Sequence, residues 1–241
     1  MIRNGYKVIM LCLLKLIICY LITFVCLISL AYAGIDIYSG SISTYLTGNW
    51  ETSNAKYARE HNLTYKMVRP NQGMSEANAN NTEVLSIIQK WRDKVVTDLN
   101  NSNFKIQGWN ELLDSKYNTI NIAPNFFDYV KNYEEKTSKS LDQLNIVLWI
   151  PIEKKVLFEG INFRGEQSFI GSSQGMIDAI NELSNYYYEK PIIHLKNEDK
   201  IKNKKLDERL NKNFSLATQL LAIYEISTWS LKNNFPMVLD Y

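Results

Sequence analysis

The chain has 241 residues, with 27 Lys and Arg against 25 Asp and Glu and a formal net charge of +2. Arg3, Lys7 and Lys15 all precede the first acidic residue, Asp36, and without them 24 basic residues stand against 25 acidic ones. A near-neutral domain gives no electrostatic case for nucleic acid as a partner, since nucleic-acid binding normally needs a clustered basic surface. All three cysteines lie before Gly34, which excludes disulfides and thiolate metal sites from the remainder.

The first element is an apolar segment, Val8–Ala33, which contains a single charge, Lys15. As a transmembrane helix, its 26 residues would cross a hydrocarbon core of about 30 Å. As a secretory signal, its apolar region is Leu16–Leu30, and Ala31-Tyr32-Ala33 forms a small-x-small cleavage site. In both cases the positive N-terminus favours export of the chain after Ala33. Residues 1–33 are therefore predicted to be a membrane anchor or a cleaved signal peptide.

Residue usage indicates the source. Lys outnumbers Arg 21 to 6 and there are 26 Asn, a bias typical of an AT-rich coding sequence. Together with the export segment, this bias favours a bacterial envelope protein. The predicted location is the inner membrane, crossed once with the domain in the periplasm, or the periplasm itself after cleavage at Ala33.

Residues 34–80 are rich in Ser, Thr, Asn, Gly and Tyr and are predicted to be a polar, membrane-proximal segment. Short β-like runs occur at Ile35–Tyr45 and Tyr65–Arg69. A Pro-Asn-Gln-Gly sequence breaks the second run, and Met74–Asn81 is predicted to be a loop. The globular domain is predicted over residues 81–241.

Apolar residues at intervals of three and four predict the first helix of that domain over Asn81–Leu99. The residues of this stripe are Val84, Ile88, Trp91, Val95 and Leu99. Asn80 and Glu83 have the spacing of a capping pair. Phe104–Gln107 and Thr119–Ala123 are candidate short strands.

A second helix is predicted to begin at Pro124, which suits a first helical turn. Its apolar side consists of Phe126, Phe127, Val130 and Tyr133. Next comes Leu144–Ile152, whose nearly continuous apolar run is typical of a strand covered on both faces. With Lys155–Phe163 and Gln167–Ile170 it is predicted to form an antiparallel meander at the centre of the sheet.

A third helix is predicted over Ser172–Lys190, with Met176, Ile180, Leu183 and Tyr187 on one face. Ile192–Leu195 is a candidate short strand, and Glu198–Lys212 a solvated helix or linker. Alternatively, one long helix runs through this charged region to Asn234. Met237–Leu239 is predicted to be the last strand. This order of elements predicts an α+β fold, with one exported domain behind one N-terminal hydrophobic helix.

The five residues from Gly171 to Gly175 match the G-x-S-x-G pattern of a serine nucleophile, with Ser173 at its centre. Such a serine needs a histidine and a carboxylate to activate it. Only His194 follows Ser173, and the acids between them, Asp178, Glu182 and Glu189, are all predicted on the helix directly after it. The pattern is therefore interpreted as a glycine-containing turn with a helix-capping serine, and catalysis by Ser173 and His194 is the alternative.

Histidine spacing and aromatic content complete the predictions. His61 and His194 have no histidine or cysteine neighbours at ligand spacing, so no metal or cofactor is predicted. The aromatic residues proposed to bind a partner are Trp50, Trp109, Tyr186, Tyr187 and Tyr188. The first two occur in polar stretches, and the three tyrosines span too much of a helix for all to be buried.

These observations predict an exported, non-enzymatic protein-binding domain. Bacterial immunity proteins against envelope-acting toxins are similar in plan, with an export signal, a small domain and no catalytic cluster. The predicted partner is another protein, a secreted toxin or an envelope component, with the membrane contacted through residues 8–33 if they are retained. The alternatives are a serine hydrolase using Ser173 and a structural subunit of an envelope assembly.

Overall fold

The computed structural model describes residues 35–47, 50–60, 82–102, 104, 108–109, 116–195 and 215–240. The described residues, all from Ile35 onward, form one compact unit. The predictions for the apolar segment Val8–Ala33, the run Tyr65–Arg69, the loop Met74–Asn81 and the stretch Glu198–Lys212 lie outside the described residues and stay predictions. Within the described ranges, no helix combines the length and the apolar character needed to cross a membrane.

The described part of the chain is a mixed α/β structure, which agrees with the α+β prediction. Its strands are β1 Ile35–Ser39, β2 Asn118–Ile122, β3 Leu148–Ile150, β4 Leu157–Ile161, β5 Gln167–Ser172 and β6 Met237–Asp240. Its helices are α1 Ile42–Thr47, α2 Ser53–Glu60, α3 Thr82–Asn101, α4 Phe126–Thr137, α5 Ser173–Tyr188, α6 Ile192–Leu195 and α7 Leu216–Asn233. A 3₁₀ turn at Asp142–Leu144 precedes β3.

The described strands form one six-stranded, mostly antiparallel sheet in the order β2-β1-β6-β3-β5-β4. β6 lies between β1 and β3 and is antiparallel to both, so that Val238 is opposite Tyr38 on one side and Leu148 on the other. β3 and β5 are parallel, with Trp149 opposite Gly171. The strand that comes after all other described elements in sequence therefore occupies the middle of the sheet.

The predicted meander is wrong in one of its two pairings: β4 and β5 are antiparallel neighbours as predicted, but β3 and β4 do not pair. β3 pairs with β6 and β5, while β4 lies beyond β5 at the edge. The reason is visible at the end of β5, where the backbone N–H of Val156 donates to Ser172 Oγ at 3.0 Å. This contact takes the chain past the end of β5, so β4 pairs on the side away from β3. β3 is buried on both faces, whereas β4 alternates exposed and half-buried residues, as an edge strand does.

Alternate residues of the sheet point to two faces, and each face has its own apolar core. On the first, called the α5/α7 face, Trp149 and Met237 pack with residues of α4, α5 and α7. On the second, called the α3 face, Tyr38 and Ile150 pack with residues of α1 and α3. The sheet is thus covered by helices on both sides over most of its width.

Three helices agree with the predictions, and a fourth agrees in part. α3 follows the predicted stripe, and Ile88, Trp91, Val95 and Leu99 are buried. α4 begins at Phe126, close to the predicted start at Pro124, and α5 lies just inside its predicted bounds at both ends. α7 matches only the last part of the long helix predicted to run through the charged region to Asn234. It begins at Leu216, because Ser215 is extended and its Oγ caps the helix by accepting from the Thr218 N–H at 3.3 Å.

Two short segments differ from the predictions. The β-like run Ile35–Tyr45 stops at Ser39, because Ser41 Oγ accepts a hydrogen bond from the Thr44 N–H at 3.1 Å and starts α1. Ile192–Leu195 is a helical turn rather than a strand. Only its first and last residues are buried, and this spacing of three is that of a helix.

Candidate functional site

The two tryptophans predicted to bind a partner are both buried. Trp50 is 5% exposed, and its indole N–H donates to the Tyr45 carbonyl at 3.2 Å. Trp109 is 4% exposed and packs edge-on against Trp91, with ring centroids 5.5 Å apart. Both rings therefore belong to the core of the α3 face and present little surface to another molecule.

The three tyrosines on α5 differ from one another. The Tyr187 hydroxyl donates to the Tyr129 carbonyl and accepts from the Asn132 amide, both at 2.9 Å, so it joins α5 to α4. Tyr188 is half-buried against the core of the α5/α7 face. Tyr186 is 41% exposed and lies edge-on to Tyr133 at 5.1 Å. Of the five predicted rings, Tyr186 alone presents substantial surface in the described residues.

A polar cluster lies next to these tyrosines. Tyr133 donates to Glu182 at 2.5 Å, and Lys139 Nζ is 3.1 Å from the same carboxylate oxygen. The hydrogen bond from Tyr133, with help from Lys139, lowers the pKa of Glu182. Burial, followed by the hydrogen bond to Glu182, raises the pKa of Tyr133. The cluster links α4 to α5 through hydrogen bonds to one carboxylate oxygen of Glu182.

Ser173 does not have the surroundings of a nucleophile. It is fully buried, its Oγ donates to the Ile150 carbonyl at 3.3 Å, and it shares a 2.7 Å hydrogen bond with Ser230. His194 is exposed on α6. Among the described hydrogen bonds, none joins His194 to Ser173 or to the carboxylates of Asp178, Glu182 and Glu189.

The glycines of the G-x-S-x-G pattern have a packing role around the amide of Gln143. This amide donates to the Val156 carbonyl at 2.7 Å and accepts from the Ser172 N–H at 3.3 Å. A Cβ on Gly175 would lie 2.5 Å from Cδ of Gln143, and a Cβ on Gly171 would also meet this side chain. Ser172, rather than Ser173, caps α5, accepting from the Gly175 N–H at 3.0 Å.

Replacing Ser173 with Ala is expected to leave the fold intact and to lower the free energy of unfolding by about 1 kcal/mol, through loss of its buried hydrogen bonds. Urea unfolding measures this change. Hydrolysis of p-nitrophenyl esters is expected to proceed at the same rate in wild type and variant. A wild-type rate that disappears both in Ser173→Ala and in His194→Ala would instead support the hydrolase alternative.

The outer edge of β4 is the most distinctive surface in the described residues. The Asn162 N–H donates to the Glu166 carbonyl at 2.8 Å, which fixes the alternation of hydrogen bonds along the β4–β5 hairpin. Leu157, Glu159 and Ile161 therefore point their N–H and C=O groups away from β5. In the described part of the chain, one of these groups has a partner: the indole N–H of Trp91 donates to the Ile161 carbonyl at 2.7 Å.

A groove of about 410 Å³ runs along this edge, between β4 and α3. We call it the β4 groove. Its strand side is formed by residues 155–161, and Trp91, Lys94, Val95, Asp98 and Leu99 line its helix side. The buried positions of that helix side are apolar and the outer positions carry charge, so the groove has an apolar floor and a charged rim.

The hairpin also presents apolar side chains on the α5/α7 face. Leu157, Ile161 and Phe169 are 37%, 40% and 53% exposed, and we call these three residues the hairpin patch. Three of the five large hydrophobic side chains that are exposed in the described residues belong to it. This concentration distinguishes the hairpin from the rest of the described surface.

Sequence reasoning missed this site because it placed β4 at the centre of the sheet. The signal is nevertheless present in Leu157-Phe-Glu-Gly-Ile161, where a charge and a glycine interrupt the apolar residues, as in a strand with one side open. Comparison of the chain with protein-family models, curated proteins and solved structures finds no match. The functional argument therefore depends on the geometry of the chain itself.

Proposed function

We propose that the chain is an exported protein-binding domain of the bacterial envelope, which neutralises or recruits a partner protein in the periplasm. The export part of the proposal comes from the apolar segment Val8–Ala33 and its positive flank. The binding part comes from the hairpin patch, which is the single observation that supports it best.

An apolar patch on an edge hairpin is costly to a free protein. It exposes hydrophobic area to water, and next to an unpaired strand edge it favours aggregation. A partner that covers the patch would remove both costs. Neutralising a toxin requires such a recognition surface and delivery to the same compartment, and these are the two features on which the proposal depends.

Photo-crosslinking in cells tests the proposal. We expect p-benzoylphenylalanine in place of Phe169 to give an adduct with one envelope protein after irradiation of the full-length chain in its native host. The same amino acid in place of Ile193 is the matched control, because Ile193 is 45% exposed but lies on α6. The captured protein, identified by mass spectrometry and purified, should also bind the unmodified chain. Equal adducts from the two positions, or none from position 169, would contradict the proposal.

A further inference from the structure

We infer that the β4 groove binds an extended segment of the partner protein, which adds to the sheet as an antiparallel strand beside β4 and places a Lys or Arg opposite Glu159. The inference rests on the proposed function and deepens it, because it states how the partner is held. Three features of the site support it: the outward backbone groups, the shape of the groove and the charge of Glu159.

The backbone of β4 is arranged to accept a strand. Leu157 and Glu159 each direct one N–H and one C=O outward, and Ile161 adds an N–H. Within the described residues these groups have no hydrogen-bond partner. Trp91 holds the Ile161 carbonyl and so marks the end of the pairing. An added antiparallel strand would exchange pairs of hydrogen bonds with Leu157 and Glu159.

The groove determines which side chains fit on the α3 face. The residues of an added strand that lie opposite Phe158 and Gly160 direct their side chains toward α3. There they meet Val95 and Leu99, which are 4% and 3% exposed. Gly160 contributes no side chain, and the space beside it is bordered by apolar groups, since a Cβ there would lie 3.2 Å from the Phe158 ring and 3.5 Å from Ile170. The segment is therefore expected to carry apolar residues at these two positions.

Glu159 determines which residue of the added strand is expected between these two apolar positions. Its side chain lies on the α5/α7 face, between Leu157 and Ile161, and it takes part in none of the ion pairs of the described residues. A directly opposed residue of opposite charge stabilises a strand pair, and a like charge destabilises it. The expected segment therefore has a Lys or Arg at its centre, with an apolar residue on each side that faces α3. The next residue on each side faces the hairpin patch.

The same geometry disfavours a second copy of this chain as the occupant. An antiparallel pairing of two β4 strands that used all three outward residues would place Glu159 opposite the Glu159 of the other copy. It would also need the Ile161 carbonyl, which Trp91 already occupies. Shifting the register to separate the two carboxylates places Leu157 or Ile161, rather than a basic residue, opposite each Glu159, so neither carboxylate gains a partner of opposite charge.

A synthetic peptide with the core Leu-Phe-Lys-Phe-Leu tests the inference, since it has the expected side chains in either chain direction. Fluorescence anisotropy with the full-length protein in lipid nanodiscs should show saturable binding with a Kd below about 1 mM. N-methylation of the Lys and Leu amides, which would face β4, should weaken binding by about tenfold or more. N-methylation of the two Phe amides, which would point away from β4, is the matched control and should change the affinity little.

A charge exchange gives a second measurement. Glu159→Lys should weaken binding of the Lys peptide by about fivefold, and a peptide with Glu at the centre should restore it. Glu135→Lys makes the same change of charge on α4 and should leave both affinities unchanged. Circular dichroism of both variants checks that the fold is retained.

Three outcomes would overturn the inference: no saturable binding, equal effects of the two N-methylation patterns, or a charge exchange without rescue. A dimer by light scattering that Glu159→Lys strengthens or abolishes would also overturn it, in favour of a second copy. If the peptide fails while Phe169 still crosslinks specifically, the proposed function stands without strand addition. If both fail, the proposed function fails as well.

Discussion

Trp149→Ala is expected to lower the free energy of unfolding by about 3–5 kcal/mol, as large-to-small changes of a buried tryptophan do. Trp149 is 1% exposed on β3, in the core of the α5/α7 face. Its indole N–H donates to the Gln143 carbonyl at 2.7 Å, so the change creates a cavity and also leaves a buried carbonyl without its donor. Urea unfolding of the full-length protein, followed by circular dichroism, measures the loss.

Trp229→Ala is the control for this prediction. Trp229 is half-buried on α7 and stacks on Phe235 with ring centroids 5.8 Å apart, so the control removes the same side chain from a less enclosed position. The loss should be clearly smaller than for Trp149. Equal losses would mean that β3 does not lie at the centre of the core.

Gly171→Ala is expected to lower the free energy of unfolding by about 1–3 kcal/mol or more, because it overpacks a filled site. A Cβ at this position would meet the Gln143 amide and Ile146, and would lie 3.0 Å from Cδ1 of Trp149. The Gln143 amide is itself held by Val156 and Ser172, so it cannot move aside without losing hydrogen bonds. The melting temperature and urea midpoint report the effect.

Gly160→Ala is the matched control, since Gly160 lies on the neighbouring strand. Its nearest contact would be Cε2 of Phe158 at 3.2 Å, the edge of a ring at the surface of the hairpin, and the expected loss is smaller. In a Gln143→Ala background the cost of Gly171→Ala should decrease, because the obstructing amide is gone. An unchanged cost would show that Gln143 is not the reason for the glycine.

Local periodicity was sufficient to predict most elements. The stripe from Ile88 to Leu99 predicts α3 because intervals of three and four leave one helical face apolar, and that face is buried in the structure. The apolar run before Pro151 predicts a strand covered on both sides, and β3 is such a strand. These predictions succeed because the spacing of apolar residues within an element indicates which of its faces are buried.

Pairing was not predictable in the same way. The position of β6 between β1 and β3 depends on contacts between Ile37 and Leu239, which are far apart in sequence and leave no local pattern. The sequence predicts β4 at the centre because consecutive strands usually pair. The hydrogen bond between Val156 and Ser172, which sends the chain past β5, is a tertiary contact that no spacing reveals.

The predicted binding residues show a related limit. Trp50 and Trp109 occur among polar neighbours, so exposure was a reasonable inference from sequence. In the structure each indole is buried by residues from other elements, Tyr45 beneath the first and Trp91 beside the second. A polar neighbourhood along the chain therefore does not determine the neighbourhood of a side chain in space.

The place of β6 has a consequence for how this chain acquires its structure. The pair β2-β1 and the trio β3-β5-β4 touch, among described strands, only through β6. During synthesis the two sets of strands cannot pair as one sheet until residues 237–240 have emerged. Joining β1 to β6 brings together residues about 200 positions apart in sequence, such as Ile37 and Leu239. For a polypeptide that crosses a membrane before it folds, as proposed for this one, such an order is an advantage. Under the proposed export, β6 would complete the sheet only after residues 237–240 have crossed the membrane.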